Sequence, residues 1–353
     1  MDQKSSDPIK LSAYSHGAGC GCKLSPAQLD EVLSKLEPTT AFPKLLVGSS
    51  SKDDAAVYDL GDGKALISTL DFFMPIVDDA FDFGRVAATN AINDVYAMGA
   101  SPIFALAILG WPVGKLPTSL ATEVIRGAQE VCKEHGIPLA GGHSIDNLEP
   151  LFGLSVNGLV ATTSFISNGG SKPGDLLYLT KPIGTGILAT ALKRGLASPE
   201  HIAYLTNMML QSNKVGALLP QIHGIHALTD VTGFGLAGHL IELCEGSNLS
   251  ARINFDDIPL MDLSILKPYL DAFVIPDNTF RNFSSYSSKL STLSGIQMQI
   301  LCDPQTSGGL LIAVSKESAN HLEVLLKDNG VGAWVIGEMI EKSDKVLNVY
   351  SSF

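Results

Sequence analysis

The residues best able to do chemistry fall into two groups. The first is the segment 14–24, YSHGAGCGCKL, which sets Cys20, Cys22 and Lys23 among glycines. Such a glycine density lets backbone amides and the Lys23 ammonium meet an anion. A thiol must lose its proton to act as a nucleophile, and a lysine three residues on is a candidate to favour the thiolate at Cys20. His16, four residues before Cys20, is a candidate base, although in a loop that spacing fixes no geometry. A standard phosphate loop is rejected: counted from Gly17, Cys22 stands where the second glycine belongs and Leu24 replaces the metal-binding hydroxyl.

The second group is acidic. Asp53 and Asp54 precede the run AAVY, Asp71 follows ALISTL, Asp94 lies in ATNAINDVYAMG one helical turn after Asn90, and Asp230 ends HALTD. Aspartates at element ends commonly serve as caps and turn residues. Their other employment is to hold a hard cation, and magnesium takes one or two carboxylates plus phosphate oxygens. Asp54, Asp94 and Asp230 are the candidates for that role. His143, in AGGHSID, reads as part of an anion-facing turn. GTGILA (184–189) and GFGLAG (233–238), the latter with Asp256 roughly 20 residues on, look like dinucleotide fingerprints. Two matches in one half of a chain devalue each other, and glycines where a helix packs closely on a sheet explain both.

These residues must be positioned by regular elements. AAVYDL, ALISTL, IFALAIL and FGLSVNGLVA read as strands, and 82–98 and 119–135 as helices. In the second half LLYLT, HALTD, ARINF, MQILCD, GLLIAV and AWVIGE read as strands, alternating with helices near 186–194, 201–219, 236–246 and 318–329. SNGGSKPGD (167–175) is the strongest linker signal. The expected organisation is a flexible glycine-rich arm over 1–45, a first domain over 46–168 and a second over 169–353. Each domain is α+β or α/β, and periodicity alone does not choose.

Composition bounds the function. The chain has 353 residues, 45% of them hydrophobic, which is ample for two cores. Apolar runs are strand-sized, well short of the roughly 20 residues a spanning helix needs. The net charge of −12 makes nucleic acid a poor partner, and a polyphosphate would need metal ions between it and the carboxylates. Five cysteines do not suggest a disulfide framework, and MDQKSSDPIK lacks the apolar core of a signal peptide, so a cytoplasmic location is expected.

Taken together, SHGAGCGCK, DDAAVYDL, STLDFFMPIVDDAFDFGRVAATNAINDVYAMGA, AILGWPVGKL, AGGHSID, TDVTGFGLAGHL and LCDPQTSGGLL resemble the selenophosphate synthetases, or selenide, water dikinases, in order over nearly the whole chain. The resemblance implies an α+β, two-domain fold like that of aminoimidazole ribonucleotide synthetase, with N-terminal domains pairing in a homodimer. It implies a reaction that turns ATP, selenide and water into selenophosphate, AMP and orthophosphate, with Mg2+ and a helper K+. The product would donate selenium for selenocysteine and selenium-modified tRNA, and a selenium-delivery protein is an expected partner. Carried over by position, Cys20 and Lys23 are catalytic, with Lys23 also touching nucleotide. Asp54, Asp94 and Asp230 hold magnesium. Ser51, Lys52, Asp53, Asp71 and Asp94 belong to the nucleotide set, while Gly142, His143 and Ser144 reach the nucleotide from the partner subunit.

Three other functions compete: a related ATP-dependent synthetase acting on a purine precursor or thiamine phosphate, a nicotinamide oxidoreductase using GFGLAG, and a non-enzymatic selenium or metal carrier using the CGC arm. The related synthetase would share the aspartates but would not need Cys20 and Lys23. Whether Cys20 holds selenium covalently or only positions selenide stays open. Cys22 reads as supporting, and Cys132, Cys244 and Cys302 as small core residues.

Overall fold

A computed structural model describes residues 9–35, 42–48 and 52–351. The first half is a six-stranded sheet of β1 (Leu45–Val47), β2 (Ala56–Asp59), β3 (Lys64–Phe73), β4 (Ser101–Trp111), β5 (Leu139–Asp146) and β6 (Leu151–Ala161), in the order β1-β2-β3-β6-β4-β5. The second half is another six-stranded sheet of β7 (Leu176–Leu179), β8 (Ile225–Asp230), β9 (Ser250–Asn254), β10 (Leu310–Val314), β11 (Trp334–Ile340) and β12 (Leu347–Tyr350), in the order β12-β9-β11-β7-β10-β8. All pairs are antiparallel except β4–β5 and β12–β9. This pairing makes both halves α+β, the choice that periodicity left open.

Helix α1 (Pro26–Leu33) follows the glycine-rich segment, and α2 (Ala80–Ala97) and α3 (Thr118–Glu134) cover one face of the first sheet. Two glycines let these helices approach. A Cβ on Gly84 would lie 1.9 Å from the Val124 carbonyl oxygen, and one on Gly127 would lie 2.1 Å from that of Phe81. On β3 the residues Ala65, Ile67, Thr69, Asp71 and Phe73 are buried under α2, while Leu70 and Phe72 between them are exposed. A register slip of one residue would turn Asp71 to the other face. In the second half lie α4 (Thr185–Lys193), α5 (Pro199–Met209), α6 (Gly235–Ser247), α7 (Leu263–Asp271), α8 (Asp277–Tyr286) and α9 (Gly295–Leu301).

Two readings are corrected here. MQILCD falls mostly in α9: Ser294 and Gln297 form a capping box that starts a helix, a signal the short apolar run concealed. AGGHSID is strand β5 rather than a turn. Gly141 and Gly142 have φ of +129° and +156°, and a Cβ on Gly142 would lie 2.1 Å from the Ala107 carbonyl oxygen, so the glycine pair admits an irregularity where β5 joins β4.

The segment expected to be a mobile arm is docked over 9–25: Leu11 and Cys20 are wholly buried. The Gly19 N–H donates to the Met74 carbonyl at 3.1 Å. Gly19 has φ +52°, and a Cβ there would meet Ile76 Cδ1 at 2.3 Å, so glycine is required for the docked path. No helix among the described residues is long and apolar enough to cross a membrane.

Candidate active site

Alternation on β3 and the helical repeat of α2 build the first wall of a cleft. Thr69 and Asp71, two apart on a strand, meet Asp94 and Asn90, four apart on a helix, because both spacings keep a pair on one face. The Thr69 hydroxyl donates to Asp94 Oδ2 at 2.7 Å, and Asn90 Nδ2 donates to Asp71 Oδ2 at 2.8 Å. The docked segment adds Lys23, whose Nζ lies 3.0 Å from Asp71 Oδ2. Cys20 lies beside them with Sγ 3.4 Å from Asn90 Oδ1, and its backbone N–H donates to Thr306 Oγ1 at 3.0 Å.

The second half supplies the opposite wall. Thr229 Oγ1, at the end of β8, donates to Asp54 Oδ1 at 3.0 Å, which ties the two halves together across the cleft. Both oxygens of Asp230 and Oδ2 of Asp54 are buried with no hydrogen-bond partner among the described residues. Burial, then repulsion from Asp230, raises the pKa values of Asp54 and Asp94. Burial likewise pushes Asp230 up to about 7, against the pull of Lys23 and Lys181. These carboxylates are therefore held together without the positive charge that would let all of them ionise. Among the described residues no three Asp, Glu, His or Cys side chains already converge on a ready metal geometry. A cation completed by phosphate oxygens needs only part of its shell from protein, which suits this donor set.

The cleft has a volume of about 290 Å3 and takes in Lys23, Lys52, Asp53, Asp54, Asp71 and Asp94. Pro26, Leu29, Leu33 and Phe234 give it an apolar side. Lys52 has φ +55° and pairs with Asp30 of α1 at 2.9 Å, and both line the cleft. Asp53 Oδ1 accepts from the Asn168 N–H at 2.6 Å. Ser51 lies outside the described residues. Asp230 does not line the cavity surface and sits wholly buried behind it.

Two expectations change. Lys23 is committed to Asp71, and burial with the Asp71 charge raises the Cys20 thiol well above its ordinary pKa despite the opposing pull of Lys23. In the docked arrangement Cys20 is a protonated thiol donating toward Asn90. His16 is exposed, its Nδ1 lies 2.8 Å from Glu149 Oε2, and it does not serve Cys20. Gly142, His143 and Ser144 are not brought to the cleft of their own chain. β5 is the edge strand, three positions from β3, about 14 Å at the usual strand spacing. Register further places His143 level with Ile108 and, through Gly153, with Phe72, on the face opposite Asp71.

Sequence reasoning missed the loop 303–309. Ser307 N–H donates to Asn90 Oδ1 at 2.7 Å, and Thr306 N–H to Thr185 Oγ1 at 3.1 Å. The Gln305 side-chain oxygen accepts from Gly184 N–H at 2.9 Å. A Cβ on Gly186 would lie 2.4 Å from Asp303 Oδ1, and one on Gly233 would lie 2.9 Å from the Cys20 carbonyl oxygen. The glycines of both fingerprint-like patterns thus serve close packing of this loop and of the docked segment. Thr69 and Thr229 were legible as same-face or adjacent neighbours of Asp71 and Asp230; the loop carried no signal beyond its place among the family motifs.

The two halves match the AIR synthase related protein, N-terminal domain over residues 52–160 and the AIR synthase related protein, C-terminal domain over residues 172–349. A thiamine-monophosphate kinase from Stenotrophomonas maltophilia K279a shares the fold, with a TM-score of 0.63 and 18% identity over 92% of this chain and 95% of its own. The architecture is that of the AIR synthase related proteins. Within that class, a selenide, water dikinase of Aeromonas hydrophila subsp. hydrophila is 54% identical over 331 residues, 94% of this chain and 95% of its own length. One from Shewanella sp. (strain ANA-3) is also 54% identical, over 335 residues and 95% of each chain. The chain belongs to the selenide, water dikinase family.

Proposed function

We propose that the cleft binds ATP and transfers its terminal phosphoryl group to selenide, and that hydrolysis of the remaining diphosphate yields AMP and orthophosphate beside selenophosphate. The observation that carries this reading is the convergence of Lys23 and Cys20 with Asp54, Asp94 and Asp230 at one interdomain cleft. The identity of 54% to selenide, water dikinases, against 18% to a thiamine-monophosphate kinase, favours selenide over the related synthetase reactions.

Phosphoryl transfer is chiefly alignment and charge neutralisation. The apolar side formed by Pro26, Leu29, Leu33 and Phe234 suits a purine base, and Lys23 faces the end where the phosphates would lie. The orphaned oxygens of Asp54 and Asp230 fit Mg2+, which Asp54, Asp94 and Asp230 would hold; when bound it neutralises triphosphate charge. Asp53, Asp71 and Lys52 border the same space and position the nucleotide. K+ enters the proposal as a helper ion with no side chain assigned to it. Anaerobic incubation with ATP, selenide and Mg2+ is expected to give a phosphorus NMR signal split by selenium, together with AMP. Its absence, or equal yield after chelation, would overturn the reading.

The homodimer is proposed from the first sheet's uncovered face. Leu70, Phe72, Leu106 and Ile145 are 54%, 45%, 38% and 54% exposed and share that face by register. A contiguous apolar face of this kind marks an interaction surface. A second copy seated there would carry its own Gly142, His143 and Ser144 toward this chain's cleft. Leu106→Glu is expected to weaken dimerisation by roughly 30-fold, the effect of losing about 2 kcal/mol at an interface centre. Sedimentation showing an unchanged dimer would count against this face.

A further inference from the structure

A second cavity, of about 450 Å3, lies behind the docked segment and shares no lining residue with the acidic cleft. The chain between them is thin: Gly21 and Cys22 line the rear cavity, Lys23 lines the cleft, and Cys20 is buried where the two meet. Thr306, which also lines the rear cavity, holds the Cys20 backbone N–H at 3.0 Å.

The rear cavity inverts the sign of a chain whose net charge is −12: its walls carry Lys193, Arg194 and Arg281. Lys193 Nζ is fixed beside Cys22, donating to the carbonyls of Ser15 at 2.7 Å and Gly17 at 2.6 Å. A Cβ on Gly17 would lie 2.5 Å from Cys22 Sγ, so the thiol is packed on that same turn. Arg194 donates to the Ile275 carbonyl at 3.3 Å, while the Arg281 guanidinium makes no hydrogen bond or ion pair among the described residues. Two acids oppose them: Asp277 lines the cavity, and Glu149 is occupied with His16 at its rim.

We infer that this rear cavity admits the selenium substrate as a small soft monoanion, hydrogenselenide, and passes it by Cys22 to Cys20. The inference rests on the selenide reading above. A nucleophile must reach the terminal phosphorus opposite the leaving oxygen. With the triphosphate in the acidic cleft, an anion arriving through that cleft would meet both the carboxylates and the nucleotide's own charge. Entry from behind the CGC turn avoids both, and fixed cations raise the local concentration of the anion and its rate of arrival.

The test is anaerobic steady-state kinetics of the full-length protein with sodium hydrogenselenide, for Arg194→Gln/Arg281→Gln, for Arg281→Gln alone and for Arg281→Lys. The double variant is expected to raise the KM for selenide about tenfold, within the range of electrostatic steering, while the KM for ATP moves less than about twofold. Added choline chloride, at constant K+, should lower kcat/KM for selenide in the unaltered protein and have little effect in the double variant. Arg281→Lys should stay near the unaltered protein. A selenide KM within about twofold of normal in the double variant overturns the inference, as does Arg281→Lys being as impaired as Arg281→Gln. Should the double variant lose its circular dichroism signal, Arg281→Gln decides alone, with a selenide KM rise of about threefold expected. If the unaltered protein makes no selenophosphate, the functional reading fails first; if it does and the variants match it, only the rear entrance fails.

Discussion

Lys23→Met is expected to lower kcat by a factor on the order of 10^3, at the upper end of what one pre-positioned charged donor contributes to a transition state. The length and most of the aliphatic stem survive this change, so the loss reads the ammonium itself. In the docked arrangement Lys23 is bound to Asp71 and is 35% exposed toward the cleft. Burial alone would lower its pKa, but the charge of Asp71, with that of Asp94, outweighs this and keeps it charged. The ammonium is thus available to phosphate oxygens, and Asp71 still has Asn90 when Lys23 turns away. A second explanation is that Lys23 only neutralises Asp71. The double variant Lys23→Met/Asp71→Asn separates the two: recovery of activity to within tenfold of Asp71→Asn alone would make Lys23 a structural counter-ion, whereas no recovery keeps it on the substrate. Retention of a tenth of normal kcat by Lys23→Met would end its catalytic assignment.

The same pair shows how far the sequence was legible. Asn90 and Asp94 share a helix face, and Thr69 and Asp71 share one face of β3, so the acidic wall follows from two countable periodicities. The long helices α2 and α3 were likewise legible, since their apolar repeat is sustained over several turns. What could not be read was pairing across long separations. Asp54 meets Thr229, and Asn90 meets Ser307, only because the two sheets pack with loop 303–309 between them. No local pattern encodes that approach, and the glycines that permit it looked like nucleotide fingerprints. Local spacing also misled at Cys20. Three residues of separation suggested that Lys23 would ionise the thiol, but the 3₁₀ turn at Cys20–Cys22 and the wall of β3 send the ammonium to Asp71 instead. The strand in AGGHSID was hidden because Gly141 and Gly142 read as turn formers, and its function is legible only if a second copy of the chain completes the site.

Asp230→Asn is expected to do two opposite things. On the proposed Mg2+ reading, turnover should fall by a factor on the order of 10^3, because the carboxylate proposed to hold the cation is lost. The metal-free protein should nevertheless melt at a higher temperature than the unaltered one at pH 8. The sign follows from linkage. Asp230 titrates near 3.8 when unfolded and is pushed up to about 7 in the fold, chiefly by burial. Its protonated form is favoured by folding, so the stability it contributes is fully present below about pH 4 and is lost as pH rises through about 7. The amide holds the neutral state permanently and also relieves the repulsion that Asp230 exerts on Asp54 and Asp94. In EDTA, the melting temperature of the unaltered chain should therefore fall between pH 5 and pH 8 more steeply than that of Asp230→Asn. Mg2+ should reverse the comparison: at a hundred times its dissociation constant it adds about 2.7 kcal/mol to a protein that binds it folded, and Asp230→Asn should gain little. The group that could spoil this is Lys181, buried near Asp230 and anchored on the carbonyls of Gln211 and Ser307 at 2.6 Å and 2.8 Å. Were its ammonium the true partner of Asp230, removing the carboxylate would strand a buried cation and lower the melting temperature in EDTA at every pH. That outcome would make Asp230 half of an ion pair and remove the main argument for a cation at the cleft.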